Sequence, residues 1–219
     1  MATDKLTPLQ RRLLVILAGM TPPWTLTGGA ALAGVHLKHR ATRELDLFWH
    51  GKSTLDRLPA QVIEKTHNEG LEATLIKSAP SFARLRVTDG TSVVLLGLVA
   101  DPTPVVEEPV QVAFEGVTIS IDTLHEILVN KLCAIIERSE MRDLQDIEAI
   151  LGAGGDLDRA LRDSPQKDTG FSPLTLAWIL RGLPLRALSG TLGWDSQYTV
   201  RMERFLEDLV QRILQAAKP

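Results

Sequence analysis

"TLTGGAALAGVHLKHRATRELDLFW", residues 25–49, decides how the rest of the chain is read. "WTLTG" has the look of a short strand ending on a glycine pair, and "GAALAGVHLKH" after it is rich in Ala and Leu, as a helix is. "ELDLFW" alternates polar and apolar residues with period two and predicts a second strand. Two features of this strand–turn–helix–strand unit carry chemistry. A turn at Gly28 and Gly29 lets the backbone approach a ligand closely, and the helix N-terminus beyond it offers N–H groups and a partial positive charge to a phosphate. Glu44 and Asp46, two apart on a strand, leave it on the same face. Paired carboxylates repel, and their physical use is to hold a divalent cation such as Mg²⁺ through oxygen ligands, with a triphosphate attached. A plain turn and a solvated edge strand would account for each feature taken singly.

Between the two lie His36, Lys38, His39, Arg40 and Arg43, which gather cationic or hydrogen-bonding groups at one place. Arg40 matters most, because a guanidinium grips phosphate in a planar fork. His36 and His39 read as ordinary surface residues. His50, His67 and His125 show no ligand spacing with any other His or Cys, which argues against a zinc site.

Upstream, "TPLQRRLLVILAG" places Leu9, Leu13, Leu14 and Leu17 on one stripe and predicts an amphipathic helix closed by Pro22 and Pro23. Downstream, residues 56–69 read as helix, followed by the strands "LEATLIK", "FARLRVT" and "TSVVLLGLVA". Asp89 and Gly90 mark a hairpin between the last two. "VQVAFEGVTISI" adds one or two strands around Glu115 and Gly116. From Asp122 the pattern turns helical: one long helix or two close ones over residues 122–155, then "SPLTLAWILRGL" and "DSQYTVRMERFLEDLVQRILQAA". The expected architecture is α+β, a mixed sheet flanked by helices over residues 1–121 and a helical part over 122–219.

Composition narrows the function. With 219 residues, 44% hydrophobic and 23% charged, the chain has enough apolar material for a real core. The longest apolar run, residues 93–100, is too short to span a bilayer, and the N-terminus has no secretory h-region, so the expectation is a cytoplasmic protein with no membrane partner. One cysteine, Cys133, rules out an intrachain disulfide framework and reads as a small helix residue. A net charge of −3 excludes a uniformly basic nucleic-acid-binding surface while leaving room for a local basic patch.

A second constellation follows in "NKLCAIIERSEMRDLQDI", residues 130–147. On one continuous helix, Lys131, Arg138 and Arg142 would fall within about 40° of each other, Asp146 about 60° from Lys131, and Asp143 about 120° away. That face would present three cations and a carboxylate in line, with Arg138 and Arg142 repelling at i, i+4 unless an anion lies between them. Asp143 would serve either the site or a polar contact to the core. A solvent-facing stripe of ion pairs is the plainer alternative.

Together these elements resemble the nucleotidyltransferases of the DNA polymerase β superfamily, and most closely the AbiEii toxin family of toxin–antitoxin systems. The first motifs are "GGAAL" (28–32), "RAT" (40–42) and "ELDLF" (44–48). The family's K-x-x-A-x(3)-R-x(3)-R-D-x-x-D helix is matched by Lys131, Ala134, Arg138, Arg142, Asp143 and Asp146. The resemblance implies a nucleotidyltransferase-fold sheet whose active site is completed by the first helix of the 122–219 part. It implies Mg²⁺ on Glu44 and Asp46, and nucleotide binding by Gly28, Gly29, Arg40, Thr42, Arg138 and Arg142. Glu44, Asp46, Lys131, Asp143 and Asp146 would be catalytic, one of the last two orienting or deprotonating the acceptor hydroxyl.

The implied reaction moves a nucleoside monophosphate from an NTP to an acceptor, RNA and tRNA foremost, in a toxin with a cognate antitoxin. A silent nucleotide- or partner-binding version of the fold is the alternative, and a small-molecule acceptor is a third. Three positions depart from the family's pattern. Glu44 stands where Asp is usual, and Ala30 where many relatives have Ser or Thr. In "SVVLLGLVAD" the third carboxylate often found in the superfamily is replaced by Gly97, with Asp101 too far along to substitute for it.

Overall fold

The computed structural model describes residues 5–218, and the chain divides into two compact units, Met1–Ile127 and Leu128–Pro219. In the first, Thr7 and Pro8 start helix α1 (Pro8–Leu17): the Thr7 hydroxyl accepts from the Gln10 N–H while the Gln10 side chain accepts from the Thr7 N–H, a reciprocal cap. Leu9, Leu13, Leu14 and Leu17 are all buried, as their spacing predicts.

The strands are β1 (Thr25–Thr27), β2 (Glu44–His50), β3 (Glu72–Ala79), β4 (Phe82–Thr88), β5 (Val93–Asp101), β6 (Val110–Phe114) and β7 (Val117–Ile121). They form one sheet in the order β3-β4-β5-β2-β1-β7-β6. β4 pairs antiparallel with both β3 and β5, but β2 pairs parallel with β5 and β1 parallel with β7, so the sheet is mixed. Helix α3 (Leu58–Asn68) joins β2 to β3, in place of the slightly longer helix expected. Hairpins occur at both expected turns. At the β6–β7 turn Glu115 and Gly116 both have positive φ, 47° and 84°, as a two-residue type I′ turn requires.

Period two sorts the sheet into unlike faces. Leu45, Leu47 and Trp49 of β2, Ala83, Leu85 and Val87 of β4, and Leu96, Leu98 and Ala100 of β5 are buried on one side. Glu44, Asp46, Phe48 and His50 stand half-buried on the other. The buried side is the core, and register is pinned because a one-residue slip would exchange the faces.

The second unit holds most of α4 (Leu124–Arg138), then α5 (Met141–Gly152), α6 (Leu157–Lys167), α7 (Pro173–Arg181), α8 (Leu185–Ser189) and α9 (Ser196–Ala216). α6 is a helix that the sequence pattern did not mark, and it carries Pro165 in its last turn. Among the described residues no helix is long and apolar enough to cross a membrane.

Candidate functional site

The glycine pair comes directly after β1. Gly28 has φ +60°, a conformation that favours glycine, and α2 (Gly28–Ala31) begins there. The expected helix is shorter than its composition suggests. It widens into a π-helical turn over Leu32–His36, where the amides of Leu37 and Lys38 both donate to the Leu32 carbonyl at 2.8 and 3.1 Å. Ala30 is buried at 1% exposure, so a side chain at this departure from the family pattern faces packed protein.

One predicted ligand of the sheet, Asp46, closes on this turn. Thr27 of β1 stands opposite Asp46 of β2. A Cβ added to Gly28 would lie 3.5 Å from Asp46 Oδ2, so the carboxylate rests against the turn. A Cβ on Gly29 would meet Arg40 Nη2 at 2.8 Å, which puts the guanidinium against the second glycine. Arg40 also donates to the Ala41 carbonyl at 3.2 Å. Gly28, Gly29, Arg40 and Asp46 are therefore brought together as the sequence suggested. Thr42 has a different engagement: its hydroxyl donates to the Glu44 carbonyl at 3.2 Å and accepts from the Glu44 amide at 3.4 Å, setting the start of β2.

Gly97 acquires a reason. It is the register partner of Asp46 across the parallel β2–β5 pair, and a Cβ there would stand 2.5 Å from Asp46 Oδ1. The space for a third carboxylate's stem is already taken by Asp46. That leaves two carboxylates, Glu44 and Asp46, and among the described residues no group of three or more His, Cys, Asp or Glu could hold a metal ion. Two oxygen donors on one half-exposed face fit Mg²⁺, which is commonly held by one or two carboxylates with waters and substrate phosphates completing its shell.

In the helical unit, of one long helix or two close ones over residues 122–155, the chain forms two. The chain breaks after Arg138: Ser139 has φ 51°, and Glu140 caps a new helix, α5. The faces counted on one continuous helix therefore do not exist, and Arg138 and Arg142 are not i, i+4 neighbours. Instead α5 folds its carboxylates back onto α4. Lys131 Nζ donates to Asp143 Oδ1 at 2.8 Å and lies 2.7 Å from Asp146 Oδ2. Arg138 grips Asp143 with two bonds, Nε to Oδ2 at 2.9 Å and Nη2 to Oδ1 at 2.8 Å. Asp143 and Asp146 are both 0% exposed and Lys131 only 7%, whereas Arg142 is exposed. Burial pushes the Asp143 carboxyl up, but the hydrogen bonds and charges of Arg138 and Lys131 outweigh it and hold the group below the usual carboxylate range.

Two charged groupings escaped the sequence reading. His50, in register with Asp101 of β5, lies 3.3 Å from Asp101 Oδ2 through Nδ1 and 3.1 Å from Asp122 Oδ1 through Nε2. Burial would lower its pKa, yet the two carboxylates push it up to about 9, so it is a cation at neutral pH. The second grouping is Arg84 and Arg86 in "FARLRVT", whose period-two spacing puts them on the face of Glu44 and Asp46. Arg84 Nη2 is 3.8 Å from Glu44 Oε2. Alternation of Arg with apolar residues was the available signal.

This arrangement belongs to a known class of folds. JHP933 from Helicobacter pylori superposes with a TM-score of 0.56 at 22% identity, covering 95% of this chain and 90% of its own. MenT4, a nucleotidyltransferase toxin from Mycobacterium tuberculosis, superposes with a TM-score of 0.59 at 15% identity, covering 94% and 91%. A nucleotidyltransferase-like protein from Paracoccidioides brasiliensis gives 0.55 at 19% identity, covering 90% and 97%. The fold is thus that of nucleotidyltransferases. The sequence profile of the nucleotidyl transferase AbiEii toxins of type IV toxin–antitoxin systems matches residues 12–213, and the chain belongs to that family. Among curated proteins none is similar enough to be matched.

Proposed function

We propose that this protein is a Mg²⁺-dependent nucleotidyltransferase toxin of the cytoplasm, paired with a cognate antitoxin, which transfers a nucleoside monophosphate from an NTP to an acceptor hydroxyl, tRNA or another RNA foremost. The observation that carries this reading is the convergence of Asp46, Gly28 and Gly97 on the polar sheet face, with Arg40 against Gly29. Glu44 and Asp46 would hold the metal, which supplies charge neutralisation to the triphosphate. The amides of the glycine turn and the Arg40 guanidinium bind phosphate oxygens. The acceptor oxygen attacks the α-phosphorus, the bond to pyrophosphate breaks, and the hydroxyl proton passes to a carboxylate. Positioning and charge neutralisation supply most of the catalysis in such transfers.

Lys131, Arg138, Arg142, Asp143 and Asp146 enter this reading through the family's helical motif. The bonds of Lys131 to Asp143 and Asp146 support a held cation as its resting role. Removal of the acceptor proton by either carboxylate breaks one of those pairs.

The test is incubation with each labelled NTP, Mg²⁺ and total tRNA, beside an Asp46→Ala protein. Label on RNA from the unaltered protein alone is the expected result, and no label from either with any nucleotide sinks the reading. The second reading, nucleotide binding without turnover, is favoured by Gly97 in place of a third carboxylate. It would show as a calorimetric binding signal without transfer.

A further inference from the structure

The face that carries Glu44 and Asp46 becomes basic as it continues across the sheet. Register puts Gly97 of β5 beside Asp46, Arg84 of β4 beside Gly97, and Lys77 of β3 beside Arg84. One row along, Glu44 is followed by Leu95, Arg86 and Thr74. Gly97 contributes no side chain to its row, so nothing from β5 stands between Asp46 and Arg84 there. The Arg84 side chain angles into the neighbouring row, where its Nη2 lies 3.8 Å from Glu44 Oε2. An aromatic ring supports it: the Arg84 guanidinium and the Lys77 ammonium lie 5.8 and 5.6 Å from the Phe82 centroid, within cation–π reach.

As a strut this pair is poor. Both side chains are more than a third exposed, at 39% and 35%, and ion pairs so open to water add little stability. Its position suits another purpose. A triphosphate brought to Glu44 and Asp46 meets two carboxylates, and Arg84 is a cation that the sheet itself brings within 3.8 Å of one of them. A guanidinium can bond a carboxylate and a phosphate oxygen at once through separate N–H groups.

We propose that Arg84 is a substrate-binding and positioning residue of this site: it holds the Glu44 carboxylate in place and binds the triphosphate of the incoming nucleotide beside it. The inference rests on the nucleotidyltransferase reading above and deepens it.

The experiment measures binding of a non-hydrolysable NTP analogue by calorimetry, with and without Mg²⁺, to the unaltered, Arg84→Ala, Arg84→Lys and Glu44→Gln proteins and to the Glu44→Gln/Arg84→Ala double variant. Melting temperature is followed alongside. Loss of charged hydrogen bonds predicts binding weaker by about tenfold in Arg84→Ala, partly recovered in Arg84→Lys. The melting temperature should move by less than about 2 °C. The double variant should lose less than the sum of the single losses, because the two groups touch. If the unaltered protein binds the analogue and Arg84→Ala binds it within about twofold, the Arg84 assignment falls while the nucleotidyltransferase reading stands. If the unaltered protein binds no nucleotide, both fall. Should Arg84→Ala fail to fold, Arg84→Lys decides: a phosphate fork predicts weaker binding in a protein of unchanged melting temperature, and equal binding overturns it.

Discussion

Glu44 and Asp46 stand half-exposed on a sheet face, whereas Asp143 and Asp146 are sealed inside the helical unit, where Lys131 reaches both. The residue types are the same and the physics differs. On the sheet, the carboxylates keep part of their contact with water, so a cation or a phosphate-bound metal can reach them. Among the helices, the charges are desolvated and depend on one another for compensation. A substitution in the first region should therefore be read as chemistry, and one in the second first as folding.

Lys131→Met breaks this comparison most severely. It leaves two buried carboxylates with Arg138 reaching only Asp143 among the bonds described above, and a buried pair broken on one side costs about 3–5 kcal/mol. Urea unfolding measures it; a loss below about 1 kcal/mol would show the cluster to be far less interdependent than its burial implies. A catalytic defect in such a protein would not by itself mark Lys131 as catalytic.

Asp46→Asn should do the reverse, lowering transfer on the order of a thousandfold with a stability change under about 1 kcal/mol. Gly97→Ala should follow it, with a loss on the order of a hundredfold, because its Cβ would stand 2.5 Å from Asp46 Oδ1 and must displace that carboxylate. Labelling rates beside circular dichroism test both. An unimpaired Gly97→Ala protein would mean that the position of Asp46 is not critical.

The two regions were unequally legible in the sequence. Glu44 and Asp46 could be placed on one face because a strand's period is two and needs no knowledge of its neighbours. The closeness of Gly29 and Arg40 followed from their short separation. Residues 130–147 were misplaced geometrically because Ser139, with φ 51°, looks like any surface serine in sequence. Once the helix breaks there, Asp143 turns from about 120° off the Lys131 face on a continuous helix to a direct bonding partner. The ladder from Gly97 to Arg84 and the meeting of His50 with Asp101 depend on register between strands far apart in the chain, which no local pattern encodes.

The His50 cluster sharpens the contrast through pH. Its pKa rises from 6.5 to about 9 in the fold, so its stabilisation is complete below the unfolded value and lost as pH climbs through about 9. A shift of that size corresponds to about 3 kcal/mol. Asp143 runs the other way: its pKa is lowered from 3.8, so its contribution is present above that value and disappears as pH falls through the folded pKa. The stability advantage of the unaltered protein over His50→Gln should therefore shrink between pH 7 and 10. A constant difference across that range would mean that His50 carries no charge in the fold.

The smallest effect on stability is expected at Arg142, a family-motif cation of the helical unit that is exposed at the start of α5. Having left the face it was expected to share with Arg138, it has little packing to lose, and Arg142→Ala should change unfolding free energy by no more than about 0.5 kcal/mol. If it nevertheless binds nucleotide as the family motif implies, the defect must appear as a higher KM for NTP, by about fivefold, with kcat nearly unchanged. An unaltered KM would make Arg142 a solvent-facing residue and confine the motif's working cations to Lys131 and Arg138. Because folding is untouched in either case, this variant separates binding from stability more cleanly than any substitution in the buried cluster.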